Sequence, residues 1–169
     1  MTLRKDNPRI KLERIREVLR YCPLTGNFYH AVPRRRITVG SIAGTLCKGG
    51  YIVISIDGVR EYAHRLAWFV TYGEWPHIID HINGDRADNR IANLRNGKQW
   101  QNMGNSQIRR DNTSGYKGVS YFKRDGTWMA QIRCQGRYKF LGYYSTPEEA
   151  HEAYCRAAES LFGDFARAA

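Results

Sequence analysis

Between Ile79 and Arg95 the chain concentrates side chains able to do proton and metal chemistry. Asp80 stands beside His81, and Asn83, Asp85, Asp88, Asn89 and Asn93 follow. His64 lies upstream and Asn102 downstream. An imidazole takes a proton from water near neutral pH, and carboxylate or amide oxygens are donors for hard cations. Phosphodiester hydrolysis needs such parts: a base to activate water, a metal on the scissile phosphate, and charge stabilisation for the leaving oxygen. An Asp-His pair alone carries little weight, because loop-capping aspartates and hydrogen-bonded core histidines are common.

The elements that must position these residues follow from periodicity and turn chemistry. Residues 9–21 read as a basic amphipathic helix stopped by Pro23 and Gly26. Short strand-like runs follow at 27–30, 44–46 and 51–56, with Asp57-Gly58 as a hairpin turn and Pro33-Arg-Arg-Arg-Ile as a basic loop. Residues 63–72 form a helix bearing His64, ended by Gly73 and Pro76. Ile78 to His81 is a brief buried strand, 83–93 a loop with one helical turn, and Leu94-Arg95 a return strand. A helix starts near Lys98 and carries Asn102. Residues 105–114 read as a basic linker with Arg109 and Arg110. Three strands at 116–122, 128–133 and 138–144 turn at Asp125-Gly126 and Gln135-Gly136. A last helix opens at Pro147 behind Ser145 or Thr146, runs to Leu161 and presents an alanine-rich stripe to the sheet.

The chain has 169 residues and a net charge of +11, an excess that favours a polyanionic partner. Its 42% hydrophobic and 12% aromatic content excludes a disordered chain. The four cysteines are scattered without a Cys-x-x-Cys pair, which argues against structural zinc and a disulfide framework. The polar start and the lack of a long apolar run give no signal peptide or membrane span, so a cytoplasmic protein is expected.

The segments Ala63-His-Arg-Leu-Ala-Trp, Ile79-Asp-His-Ile-Asn-Gly-Asp-Arg-Ala-Asp-Asn-Arg-Ile-Ala-Asn-Leu-Arg and Trp100-Gln-Asn, in that order, resemble the HNH nucleases, in particular the phage and intron-encoded homing type. The resemblance covers roughly 60–105. It implies that His81 is the general base, that Asp80 and Asn102 are metal ligands, and that Asn93 braces the loop bearing the base. Adjacent strand residues point to opposite faces, so a distortion at the strand end is expected to bring Asp80 and His81 to one site. The oxygen ligands imply magnesium, with manganese as substitute, and no zinc. His64 is expected to pack beneath the site, and Asp85, Asp88 and Asn89 to shape the loop, one of them open to an outer-shell role.

Residues 113–166 resemble the apetala-type DNA-binding domain of plant ethylene-response factors, through Tyr116-Lys-Gly-Val, Trp128-Met-Ala-Gln-Ile-Arg, Phe140-Leu-Gly-Tyr-Tyr and Glu148-Glu-Ala-His-Glu-Ala-Tyr-Cys-Arg-Ala-Ala. That fold lays the open face of a three-stranded sheet in the major groove. Period-2 alternation puts Trp128, Ala130, Ile132 and Leu141 toward the helix, and Met129, Gln131, Arg133, Tyr138 and Phe140 outward. Gln131 and Arg133 are then base readers, while Lys117, Lys123, Arg124, Arg137 and Lys139 are phosphate contacts. Ser120 and Phe122 replace two arginines usual in plant members, so the plant target is not implied.

The expectation is an α+β chain. A ββα-metal HNH core with N-terminal helix and hairpins occupies residues 1–104, followed by the linker at 105–114. A three-stranded antiparallel sheet packed on one helix fills 115–169. The expected function is a site-directed, divalent-metal-dependent DNA endonuclease of phage or mobile-element origin, a monomer acting on double-stranded DNA in a bacterial host. The rivals are a non-catalytic DNA-binding regulator, opposed by the intact residue set, and a nonspecific nuclease, opposed by the second DNA-binding module.

Overall fold

Alternating apolar and polar residues on either side of Pro23–Gly26 build the first hairpin. The computed structural model describes residues 10–167, so the polar start and Arg9, the expected first residue of the opening helix, lie outside the described residues. Helix α1 (Leu12–Val18) is shorter than expected, and Leu19–Tyr21 forms strand β1 instead. The reason is pairing: β1 bonds antiparallel to β2 (Phe28–His30), which buries Leu19 and Phe28, and this overrides the helical spacing. Gly26, at φ +76, sets the turn against another segment. A Cβ there would meet the backbone nitrogen of Arg90 at 2.5 Å and the carbonyl carbon of Asn89 at 2.6 Å. The hairpin thus abuts the polar loop directly.

Strand β3 (Ile42–Ala43) pairs with β2, an element absent from the sequence reading. Strands β4 (Thr45–Leu46), β5 (Ile52–Ile56) and β6 (Val59–Tyr62) form a second antiparallel sheet, and β5 turns into β6 at Asp57-Gly58. Helix α2 (Ala63–Tyr72) follows and stops at left-handed Gly73. Ile15, Val18, Phe28, Ile54, Ile56, Leu66 and Leu94 pack into one core between these elements. Strand β7 (Ile79–His81) and strand β8 (Leu94–Asn96) then pair antiparallel, with a loop and a 3-10 turn, η1 (Ile91–Asn93), between them.

The chain divides into two compact units after Gly97. Helix α3 (Gln99–Gly104) belongs to the second unit. Its Trp100 ring lies 6.2 Å from that of Phe162, and Gly104 abuts the same ring. The expected boundary was residue 104, so Asn102 lies in the second unit.

The second unit is built around strands β9 (Val119–Phe122), β10 (Thr127–Cys134) and β11 (Arg137–Tyr144), in the order β11-β10-β9, backed by helix α4 (Pro147–Phe162). Thr146 caps α4, and Glu149 completes a capping box. The expected stripe packs as drawn: Ala150, Ala153, Tyr154 and Ala158 are buried against Val119, Ala130 and Ile132. Gly118, at φ +75, lets α4 approach; a Cβ there would lie 2.1 Å from the Tyr154 ring.

Candidate active site and nucleic-acid interface

His81 closes β7, and the chain turns sharply behind it. Ile82 N donates to Asn93 O at 2.9 Å and Gly84 N to His81 O at 2.8 Å. The ladder before the turn is regular, with Asp80 opposite Arg95 and His81 opposite Leu94. The distortion expected to bring Asp80 and His81 to one site is not present in the ladder, which stays regular through both residues, and the chain turns only after His81. Asp80 and His81 are both buried.

The His81 ring meets the His64 ring edge-on at 5.1 Å, and Tyr51 and Tyr62 close around His64. Across the loop, His81 Nε2 lies 3.3 Å from Asn89 Oδ1. The Asn89 amide is oriented by its own Nδ2, which donates to Ala87 O at 3.1 Å. With the amide oxygen facing His81, this contact is a hydrogen bond in the tautomer that carries its proton on Nε2. Burial pushes the His81 imidazole below its ordinary pKa of 6.5; the Asn89 bond and the nearby Asp80, Asp85 and Asp88 carboxylates oppose this. The net direction favours the neutral imidazole.

Asn93, also buried, ties the loop together. Its Oδ1 accepts from Asn83 N at 3.0 Å, and its Nδ2 donates to Asn83 Oδ1 at 3.0 Å and to Asp88 O at 2.8 Å. Asp85 and Asp88 cap the intervening turns, through Ala87 N and Arg90 N. The Arg90 guanidinium, with its hydrogen bonds, holds Asp88 down to about 2. From outside, Tyr21 Oη donates to Asn89 O at 2.7 Å, so the β1–β2 hairpin supports the residue that orients His81.

Asp80 faces Arg95, whose Nε and Nη2 donate to Oδ2 at 2.8 and 2.6 Å. Residue types alone do not announce this partner, although pairing the two expected strands about the loop sets Arg95 opposite Asp80. Asn89, expected to shape the loop, also bonds His81, a contact that depends on how the loop folds back. Among the described residues no three His, Cys, Asp or Glu side chains gather as a metal cluster. Asp80 offers one hard carboxylate donor, of the kind that magnesium takes.

In the second unit the register sorts the sheet's faces. Gln131 lies opposite Phe140, Arg133 opposite Tyr138, and Met129 opposite Tyr143 and Ser120, all away from α4. A bulge between Ala130 and Gln131 takes up Leu141. The Arg133 guanidinium sits 5.3 Å over the Tyr138 ring. Arg109, Arg110, Lys123, Arg124 and Arg137 are exposed; Arg109 is paired with Asp111 and Arg124 with Asp125. Lys139 is exposed too, but it pairs opposite Ile132 and so lies on the helix side of β11. Lys117 corrects the expectation of a phosphate contact. It is buried, and its Nζ donates to Gly104 O at 2.7 Å and Arg167 O at 3.2 Å. Burial lowers its pKa to about 8, and its work is to tie together the ends of the second unit.

With this geometry in place, comparison with known proteins defines the class. The HNH endonuclease family profile matches residues 61–103, and the AP2 domain profile matches residues 114–164. The chain belongs to the HNH endonuclease family and carries a C-terminal AP2-type DNA-binding domain. It is similar to Protein 3.8 of Escherichia phage T7, 30% identical over 106 residues, covering 62% of this chain and 87% of that protein. It is also similar to the HNH endonuclease L560 of Acanthamoeba polyphaga mimivirus, 31% identical over 124 residues, covering 72% of this chain and 63% of that protein. No solved structure matches the chain. Among the described residues no helix is long and apolar enough to cross a membrane.

Proposed function

We propose that this chain is a site-directed, divalent-metal-dependent endonuclease of double-stranded DNA, with a ββα-metal HNH core in which His81 is the general base. One observation carries the reading: a buried, neutral imidazole whose Nε2 is engaged by Asn89, in a loop braced by Asn93. His81 takes a proton from the attacking water. Asn89 holds the ring's tautomer and orientation, and Asn93 holds the loop. Magnesium, with manganese as substitute, would be held by Asp80 and would supply Lewis-acid stabilisation of the phosphate and leaving oxygen. Asn102 keeps the ligand role that the family resemblance implies, and Asn102→Ala should lose cleavage less severely than Asp80→Ala, because Asp80 carries the charge. The AP2-type domain selects the site with Gln131 and Arg133. The chain acts as a monomer in the cytoplasm of a bacterial host, a setting in keeping with the phage origin of one relative.

One observation favours the rival reading, a DNA-binding regulator without catalysis: Arg95 already neutralises Asp80. Cleavage of duplex DNA with magnesium, and its loss in Asp80→Ala, distinguishes the two. The proposal expects cutting by the wild type, and the rival expects binding alone.

A further inference from the structure

The open face of the β9–β11 sheet is mostly aromatic, not basic. Tyr138 is 67% exposed, Phe140 56% and Tyr143 49%. The Tyr143 ring lies 5.0 Å from Phe140 on the same strand and 5.2 Å from Phe122 on β9, so the three rings form a continuous apolar strip that crosses β10. The three strands hold no Asp or Glu, and Arg124 and Arg133 stack on the rings at either end of the strip, over Phe122 and Tyr138. The surface is thus complementary to a polyanion at its rim and to something apolar at its middle. In the major groove of duplex DNA the apolar feature is the C5-methyl of thymine.

The cross-strand pairs sharpen this. Gln131, directly opposite Phe140, carries an amide that makes no side-chain hydrogen bond among the described residues, and such an amide matches adenine N6 and N7. The thymine of that base pair presents its methyl beside the adenine edge, where an aromatic neighbour of the glutamine would meet it. Arg133, held flat on Tyr138, matches guanine O6 and N7. Gln131 and Arg133 are two residues apart on one strand, roughly 7 Å, or about two base-pair steps.

We propose that the open face reads an A·T pair through Gln131 and Phe140, with Phe140 against the thymine methyl, about two steps from a guanine read by Arg133. This rests on the reading of the AP2-type domain as the site selector. The test uses the full chain carrying His81→Ala, so that bound DNA survives. A random duplex library is selected on it, and affinity is then measured for the recovered duplex with thymine or with deoxyuridine, which lacks only the methyl. The expected site holds an A·T position about two steps from a G·C. Deoxyuridine should weaken binding about fourfold per contacted methyl. Phe140→Ala should erase the difference between thymine and deoxyuridine, and Phe140→Leu should keep most of it. Equal binding of the two duplexes, by a chain whose affinity still falls on Arg133→Ala, overturns the inference and leaves the selector reading standing. If neither Arg133→Ala nor Phe140→Ala alters duplex binding, the selector reading falls and the inference with it. Tighter binding of single strands than of the duplex also overturns the inference.

Discussion

Asn89 gives His81 a side-chain partner that the neighbouring His64 lacks at its buried Nδ1. Its amide oxygen faces His81 Nε2 and its amide nitrogen is anchored on Ala87 O, so the imidazole is held in one tautomer. Asn89→Ala should lower kcat by roughly tenfold with little change in KM, because the lost bond is worth on the order of 1 kcal/mol and acts on the base, not on DNA affinity. Single-turnover cleavage read beside DNA affinity checks it, and an equal loss in both would make Asn89 a folding residue. His64 gives a second expectation. Its burial pushes the imidazole pKa down to about 3 from the ordinary 6.5. The unfolded chain therefore binds the proton first as pH falls. His64's contribution to stability is complete above about pH 6.5 and is lost progressively from there toward pH 3. Going from pH 7.5 to 5.5 should cost about 1 kcal/mol through this group. His64→Phe, which keeps the ring and removes the buried Nδ1 that has no partner, should flatten that slope. Urea melts at the two pH values decide it.

At the scale of elements, two short hairpins carry the arrangement. The β7–β8 pair holds Asp80 against Arg95 with both side chains largely buried. Arg95→Ala should destabilise the first unit by about 3 kcal/mol, since removing one partner leaves a buried charge poorly compensated; thermal melting against the wild type measures it. In the second unit, Gly118→Ala forces a Cβ into the Tyr154 ring at a positive φ. The expected outcome is loss of the near-UV signal of the β9–β11 sheet, or a fall of several kcal/mol in its unfolding transition. Much of this unit was legible in the sequence. The Asp-Gly and Gln-Gly turns, the period-2 strands and the Thr146-Pro147 start are local signals, and local geometry settled them. What escaped depends on contacts distant in sequence. Leu19–Tyr21 became a strand because Phe28–His30 lay ready to pair with it. Lys117 turned inward because Gly104 O and Arg167 O converge on it, which no period could announce. In the site, residue types and order were legible, whereas the Asn89 and Arg95 partnerships were products of the folded loop.

Over the whole molecule, the +11 net charge favours sequence-independent attraction to DNA, and on the proposed reading the open sheet face would add selection. The two should separate experimentally. Lys123→Ala or Arg110→Ala should weaken target and scrambled duplexes alike and reduce the salt slope by about one each. Arg133→Ala should relax target preference with little effect on scrambled duplex. Binding isotherms across a salt series resolve these signatures, and a uniform loss in Arg133→Ala would remove it from base readout. On the proposed reading, the loop from His81 to Asn93 performs metal-dependent hydrolysis on the DNA that this charge collects. The most direct measurement incubates the purified chain with duplex DNA in magnesium, in manganese and in EDTA, beside His81→Ala and Asp80→Ala. The wild type should cleave in either metal and not in EDTA, and His81→Ala should lose at least about a hundredfold with DNA still bound. Undiminished cutting by His81→Ala, or full activity in EDTA, would contradict it.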